Sequence, residues 1–239
     1  MDAKSIFDHM LDKYKNCKSY KDEGQVITTS TDEARQPPQS ISFKTFFVRP
    51  SYFRFYWEDG YGDGNTVWCD GKKSHLYFLG KSEEQEHLSA AIAGATGVSS
   101  GSAHTIPRLL MPDQVAGRSL AEFTSIELVK EVLSKDGELI HLRGIWKTQK
   151  QDIWLDRINM NIVRLEYTRH IQPTTISPRE LEIFKGKFTP EQIADLVKIQ
   201  SNMKDYDTKV TCTYSNIAFD QPIPLEMFDY KPTARVRQS

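Results

Sequence analysis

The sequence predicts an α+β fold dominated by antiparallel hairpins, and three features carry that expectation. Two adjacent aromatic stretches, Phe47-Val48-Arg49-Pro50-Ser51-Tyr52-Phe53-Arg54-Phe55-Tyr56-Trp57 and Thr66-Val67-Trp68-Cys69-Asp70-Gly71-Lys72-Lys73-Ser74-His75-Leu76-Tyr77-Phe78, read as strands with tight turns. Asp70-Gly71 stands where a hairpin reverses, because glycine takes the positive φ that a two-residue turn demands. Further runs of alternating apolar residues, punctuated by turn signals, follow in series and make a continuous antiparallel sheet with one apolar face.

The elements follow in order. Asp2 caps a helix over about 3–17, with Ile6, Phe7, Met10, Leu11 and Tyr14 on one face. Strands are expected at about 20–31, 39–49, 52–58, 65–70 and 73–79. Arg35-Gln36-Pro37-Pro38-Gln39 separates the first pair, since proline cannot donate to a ladder. From Ser82 the period becomes helical: Glu83, Glu84 and Glu86 suit the positive start of a helix carrying Leu88, Ala91 and Ile92. A small-residue connection from Gly94 to Ser102 leads to a second short helix with Ile106, Leu109, Leu110 and Met111, stopped by Pro112. Strand pattern resumes over 119–133, turns at Asp136-Gly137, and returns through Leu139, Ile140, Leu142 and Ile145, then at about 151–156 and 160–170. An additional helix is expected at about 189–204, where Thr189 caps Pro190-Glu191-Gln192 and Ile193, Leu196 and Val197 share a face.

Composition excludes several classes. The chain has 239 residues, 31 Lys+Arg against 32 Asp+Glu and a pI near 6.6, which lacks the basic excess of a nucleic-acid footprint. Such a length suits one domain spanning 1–239. No run of eighteen apolar residues suggests a membrane-spanning helix. Cys17, Cys69 and Cys212 show no C-x-x-C spacing, so zinc and thioredoxin chemistry are not indicated, although a Cys17–Cys69 or Cys69–Cys212 bridge is open in an oxidising compartment.

Chemical motifs are weak. Gly97-Val98-Ser99-Ser100-Gly101 matches the nucleophile-elbow pattern, but that motif works only between a strand and a helix, and here helical Ala90–Ala93 precedes it. Asp59, Asp63 and Asn65 among glycines lack calcium-loop spacing, and the histidines lack metal-ligand spacing. Glu180 and Glu182 suggest no acid–base pair. The expectation is therefore a non-enzyme without cofactor or metal. The aromatics point instead to binding: if the sheet curves, alternate members of Phe53, Phe55, Trp57, Trp68, Tyr77, Trp146 and Trp154 line its concave face and contact an apolar ligand, unless packed helices fill the space.

Several motifs in order resemble one family. Arg49-Pro50 opens an aromatic strand, and the Asp70-Gly71-Lys72 hairpin follows. The first helix runs into Ser19-Tyr20-Lys21-Asp22-Glu23-Gly24, and Asp152-Ile153-Trp154-Leu155-Asp156 precedes Asn161-Ile162-Val163-Arg164-Leu165-Glu166-Tyr167. Thr213–Phe219 leads into Pro222-Ile223-Pro224 and Phe228-Asp229-Tyr230-Lys231-Pro232. This order resembles the LolA-like lipoprotein-carrier superfamily, especially its poorly characterised branch of predicted periplasmic proteins. The resemblance implies a strongly curved antiparallel sheet, a half-open β-barrel, with an N-terminal helix and a central helical lid at about 82–112. It implies binding or transport of a lipid, a lipoprotein acyl chain or a similar amphiphile in the periplasm, linked to outer-membrane biogenesis. Arg49 would latch the lid. Arg54 is open to two readings, a contact to a lipid headgroup phosphate or an ordinary outward strand position. The chain would then be a monomeric mature protein with an added initiator methionine. The helix at 189–204 departs from the smallest carriers and leaves open an RseB-like module of the same fold that binds a membrane-associated protein partner.

Overall fold

The computed structural model describes residues 2–32, 36–58, 64–134, 137–172, 177, 188–201 and 204–232. Its first helix, α1 (Ala3–Asn16), starts at Asp2, whose Oδ1 accepts from the Ser5 amide at 2.9 Å. Ile6, Phe7, Met10 and Tyr14 form its buried face. Six strands follow: β1 (Ser19–Ser30), β2 (Gln39–Val48), β3 (Tyr52–Glu58), β4 (Asn65–Asp70), β5 (Ser74–Phe78) and β6 (Lys81–Gln85). Two short helices, α2 (Leu88–Thr96) and α3 (Ser102–Leu110), interrupt the strands, and a single 3-10 turn (Leu120–Glu122) returns the chain to the sheet. Strands β7 (Ser125–Ser134), β8 (Gly137–Trp146), β9 (Gln149–Asp156) and β10 (Ile162–Ile171) form a meander. Helix α4 (Pro190–Ser201) precedes β11 (Tyr206–Phe219), and a short 3-10 turn (Leu225–Phe228) follows.

All pairings are antiparallel and the order is β6-β5-β4-β3-β2-β1-β11-β10-β9-β8-β7. The sheet is therefore open, with β6 and β7 as its edges. Eleven strands at about 4.8 Å spacing would span about 50 Å if flat. Instead the same sheet face contributes Phe53, Phe55 and Val67 from one half and Ile140, Leu142, Ile153 and Leu165 from the other to a core shared with α1, α2 and α3. Helix α2 packs on β4, β5 and β6, whereas α1 packs on α3 and β7. Only a strongly curved sheet brings both ends to the same helices. The architecture is the half-open barrel with N-terminal helix and central lid that the resemblance implies.

One boundary is corrected. Lys81–Gln85 is a strand, and the lid helices begin at Leu88. Leu79 (φ 51°) and Gly80 (φ 78°) form a two-residue turn that sets Phe78 opposite Lys81, so the acids lie on an exposed edge strand. An edge strand tolerates charge because its outer groups face water. Ser119 begins a 3-10 turn with a complete Ser119–Glu122 capping box, and strand geometry starts only at Ser125. Asp59 and Asp63 of the glycine-rich turn, Asp136, Arg35, and Glu180 and Glu182 lie outside the described residues. Cys17, Cys69 and Cys212 are free thiols buried in the core.

Candidate functional site

The register sorts the aromatic residues by face. In the rows Phe47–Phe53–Cys69 and Thr45–Phe55–Val67, paired residues share a face, and both rows point to the core. Phe53, Phe55 and Trp57 are fully buried on this concave side, and Phe55 and Trp57 lie 5.7 Å apart between ring centres. Phe78 stacks on Trp57 at 6.3 Å. Trp146 reaches the same face at the far end, where the Arg118 guanidinium lies 4.6 Å over its ring.

Trp68, Tyr77 and Trp154 do not join them. Trp68 is paired with Arg54 and His75, and Tyr77 with Thr66, all one residue out of phase with the core rows. Trp68 stacks on His75 at 4.7 Å and meets Tyr230 edge-on at 5.1 Å on the outer face. Trp154 is paired with His141, which it stacks at 4.3 Å, and the Arg164 guanidinium covers it at 4.6 Å. The physical reason is the two-residue side-chain period: odd and even members of one strand cannot line one surface. Arg54 is also on the outer face, donating to the Met227 carbonyl at 3.3 Å and lying 4.2 Å over Tyr230.

The concave aromatics are covered by the lid. Helix α2 brings small residues, Ala91 and Ala95, together with Ile92, all buried. Helix α3 adds Ile106, Leu109 and Leu110. These side chains and the concave aromatics form one buried hydrophobic cluster.

Arg49 sits where the lid meets the first helix. Its Nε donates to the Cys17 carbonyl at 2.9 Å, and Nη2 donates to the carbonyls of Lys15 at 2.6 Å and Leu110 at 3.1 Å. Cys17 closes α1 and Leu110 is the last residue of α3. Helix C-termini carry unpaired carbonyls and partial negative charge, so one cationic fork satisfies both ends at once. Next to it, Gln114 Nε2 donates to the Pro50 carbonyl at 2.9 Å, a second tie between lid and strand.

Ser99 of the Gly97–Gly101 motif is buried and serves helix α3: its Oγ accepts from the Ala103 amide at 3.2 Å. The histidines are engaged elsewhere, His104 with the Ala116 carbonyl, His141 with Asp152 and His170 with Asp205 and Asp207. Among the described residues no group of three His, Cys, Asp or Glu side chains is placed to hold a metal ion.

The polar side of the concave face was not read from the sequence. A cleft of about 160 Å³ lies between the lid, at Thr96 and His104, and strands β9 and β10, at Gln151, Tyr167 and Arg169, with Arg118 between them. Arg169 was legible in principle, since it shares the phase of inward-facing Leu165 and Tyr167. Arg118 lies in an irregular segment with no periodic signal.

The sequence matches no protein-family model and no curated protein sequence significantly. Solved structures are similar over nearly its whole length. A LolA superfamily protein from Nitrosomonas europaea shares 13% identity, covering 95% of this chain and 97% of that one with a TM-score of 0.38. LprF from Mycobacterium bovis shares 10% identity over 93% of this chain and 95% of its own, with a TM-score of 0.44. MucB in the MucA/MucB complex of Pseudomonas aeruginosa shares 8% over 96% of this chain and 61% of its own, with a TM-score of 0.43. At these identities and scores no ligand or partner transfers to this chain.

Proposed function

We propose that this protein binds the apolar chain of a lipid, a lipoprotein acyl group or a similar amphiphile without transforming it, as a carrier in the periplasm. The observation that carries the reading is the pairing of a buried aromatic concave face with two short helices held to the sheet by a few polar ties: the Arg49 guanidinium, Gln114 on the Pro50 carbonyl, and Ser100 with Thr28 and Tyr167. Helix α2 packs on β4, β5 and β6 through Leu88, Ala91, Ile92 and Ala95, and belongs to the same buried cluster as Phe55 and Trp57, so moving it away opens the aromatic face. Trp57 Nε1 is buried without a hydrogen-bond acceptor, a donor suited to an ester carbonyl. In this reading Phe53, Phe55, Trp57 and Trp146 contact the ligand after the lid opens, and Arg49 is the latch. A sixteen-carbon chain gains on the order of 10 kcal/mol on burial before the costs of binding and of opening the lid. The compartment rests on the family resemblance of the sequence.

A second reading has one observation in its favour. At the β5–β6 edge, Leu76, Phe78 and exposed Leu79 line a groove of about 190 Å³ beside the edge strand β6. A partner protein's extended segment would suit such an edge.

The test begins with native mass spectrometry and organic extraction of protein purified from a Gram-negative periplasm. A second arm locks the lid. A side chain built at Gly94 would meet Leu76, so Leu76→Cys with Gly94→Cys places a disulfide between α2 and β5. The expected result is an extractable lipid, with uptake of an uncharged monoacylglycerol blocked in the oxidised double variant and restored by reductant. A clean apo mass with no uptake, or uptake unaffected by the lock, refutes the carrier.

A further inference from the structure

The cleft between lid and far sheet has an unusual charge balance. Arg118 is half-buried and held by neutral partners: Nη1 donates to Gln149 Oε1 at 2.6 Å and Nη2 to Gln151 Oε1 at 3.2 Å, with Trp146 and Phe123 beneath it. Arg169 donates to the Tyr167 hydroxyl at 2.9 Å and lies over that ring. Neither arginine has a carboxylate within ion-pair distance among the described residues. Glu122 is the nearest acid to influence Arg118, but its carboxylate accepts from the Ser119 amide and lies 3.9 Å from Arg108. Burial and the neighbouring Arg169 both work against the Arg118 charge. Two guanidiniums thus face one half-enclosed space, with no carboxylate of the described residues paired to either.

The lid adds to the field. Helix α3 begins at Gly101, whose φ of +88° is the left-handed conformation that favours glycine. A Cβ there would lie 3.4 Å from the Tyr167 hydroxyl and 3.9 Å from Arg169 Nη2. The positive end of α3 therefore abuts the same space and adds its dipole alone, because the Ser102 and Ala103 amides are taken by Ser99 and the His104 and Thr105 amides by the Gly101 carbonyl.

We infer that this cleft is an oxyanion site that takes a phosphate group, either on the head of a bound amphiphile or as free phosphate. Guanidinium forks match phosphate oxygens bidentately, and two of them balance its one to two negative charges. An anion seated there touches both lid and sheet, so its binding closes the end of the lid opposite Arg49. The inference deepens the carrier reading by naming the head group.

Calorimetry and thermal shift at fixed ionic strength test it. The probes are inorganic phosphate, lysophosphatidylglycerol and uncharged monoacylglycerol, on the wild type, Arg118→Gln, Arg169→Gln and the remote control Lys21→Gln. Phosphate is expected to bind and stabilise the wild type, each arginine variant to weaken it at least about tenfold, the size of one lost charge-assisted bond, and the control to leave it unchanged. Arg169 is exposed, so its variant serves even if Arg118→Gln does not fold. Binding of phosphate alone assigns the free anion. A preference for the lysophospholipid over the monoacylglycerol that vanishes in the arginine variants assigns the head group. Absence of binding by both phosphate and lysophospholipid, equal affinity in the arginine variants, or an equal loss in Lys21→Gln overturns the site. Uptake of monoacylglycerol with no anion effect refutes this site and leaves the carrier reading standing; the reverse pattern does the opposite.

Discussion

Replacing Arg49 by leucine separates a latch from an ordinary packed arginine. The guanidinium bonds three main-chain carbonyls, two at the end of α1 and one, Leu110, at the end of α3. Only the Leu110 bond crosses to the lid. A hydrogen bond from a charged donor contributes about 1.5–3 kcal/mol net, so losing it should raise the lid-opening equilibrium by about 10- to 150-fold. The α1 bonds tie parts that stay together when the lid moves, and they affect global stability instead. Native-state hydrogen exchange resolves the two effects. Amides of α2 and α3 should exchange about tenfold or more faster in Arg49→Leu than the global loss accounts for, while β1, β2 and β11 track global unfolding. Arg49→Lys keeps charge but loses the fork, and should fall between. If lid and sheet amides accelerate by the same factor, Arg49 is a global contact and the latch is wrong.

Three further outcomes follow from buried contacts. Asp22 is fully buried, bonded by the Tyr20 hydroxyl at 2.6 Å, and burial raises its carboxyl from 3.8 to about 6 despite the hydrogen bond from Tyr20. An acid with a raised folded-state value binds more protons when folded, so its contribution is fully present below about 3.8 and is lost as pH rises through about 6. Asp22→Asn should therefore gain about 2 kcal/mol on the wild type between pH 4 and 7.5 in urea titrations, and a pH-independent difference would count against this. In Tyr14→Phe the Ile162 amide, which donates to Tyr14 Oη at 3.1 Å in a buried setting, loses its acceptor; a cost of about 1–3 kcal/mol is expected, and a denaturation midpoint matching the wild type would refute it. Gly24→Ala puts a methyl group 2.2 Å from Phe43 Cζ and 2.5 Å from the Thr213 carbonyl oxygen, so it should cost about 1–3 kcal/mol by forcing β1 from β11, read as a lower melting temperature.

Local signals were read well where the chemistry is local. Asp2 at the start of α1 and Thr189 before Pro190 behave as caps because a side-chain oxygen and an amide a few residues on suffice to define them. The Asp70-Gly71 reversal holds for the same reason: Asp70 Oδ1 accepts from the Lys72 and Lys73 amides, and Gly71 takes φ of +90°. The β5–β6 turn was missed because Leu79 at positive φ is an uncommon turn residue, and the acids beyond it read equally as a helix start. Arg118 escaped notice because its partners Gln149 and Gln151 lie some thirty positions on.

The amino-acid order alone thus determined most of the strands, that helices interrupt them after β5, and that one sheet face is aromatic, since periodicity, caps and turns depend on near neighbours; β6 was the exception. Which aromatics share that face, and which carbonyls reach Arg49, only the tertiary structure decided. Strand register converts one residue of offset into the opposite surface, so Phe55 and Trp57 face the lid while Trp68 and Trp154 do not. Sheet curvature then brings α1, α3 and β2 to one guanidinium and two arginines from separate segments to one cleft. Those are long-range closures, and no local pattern encodes them.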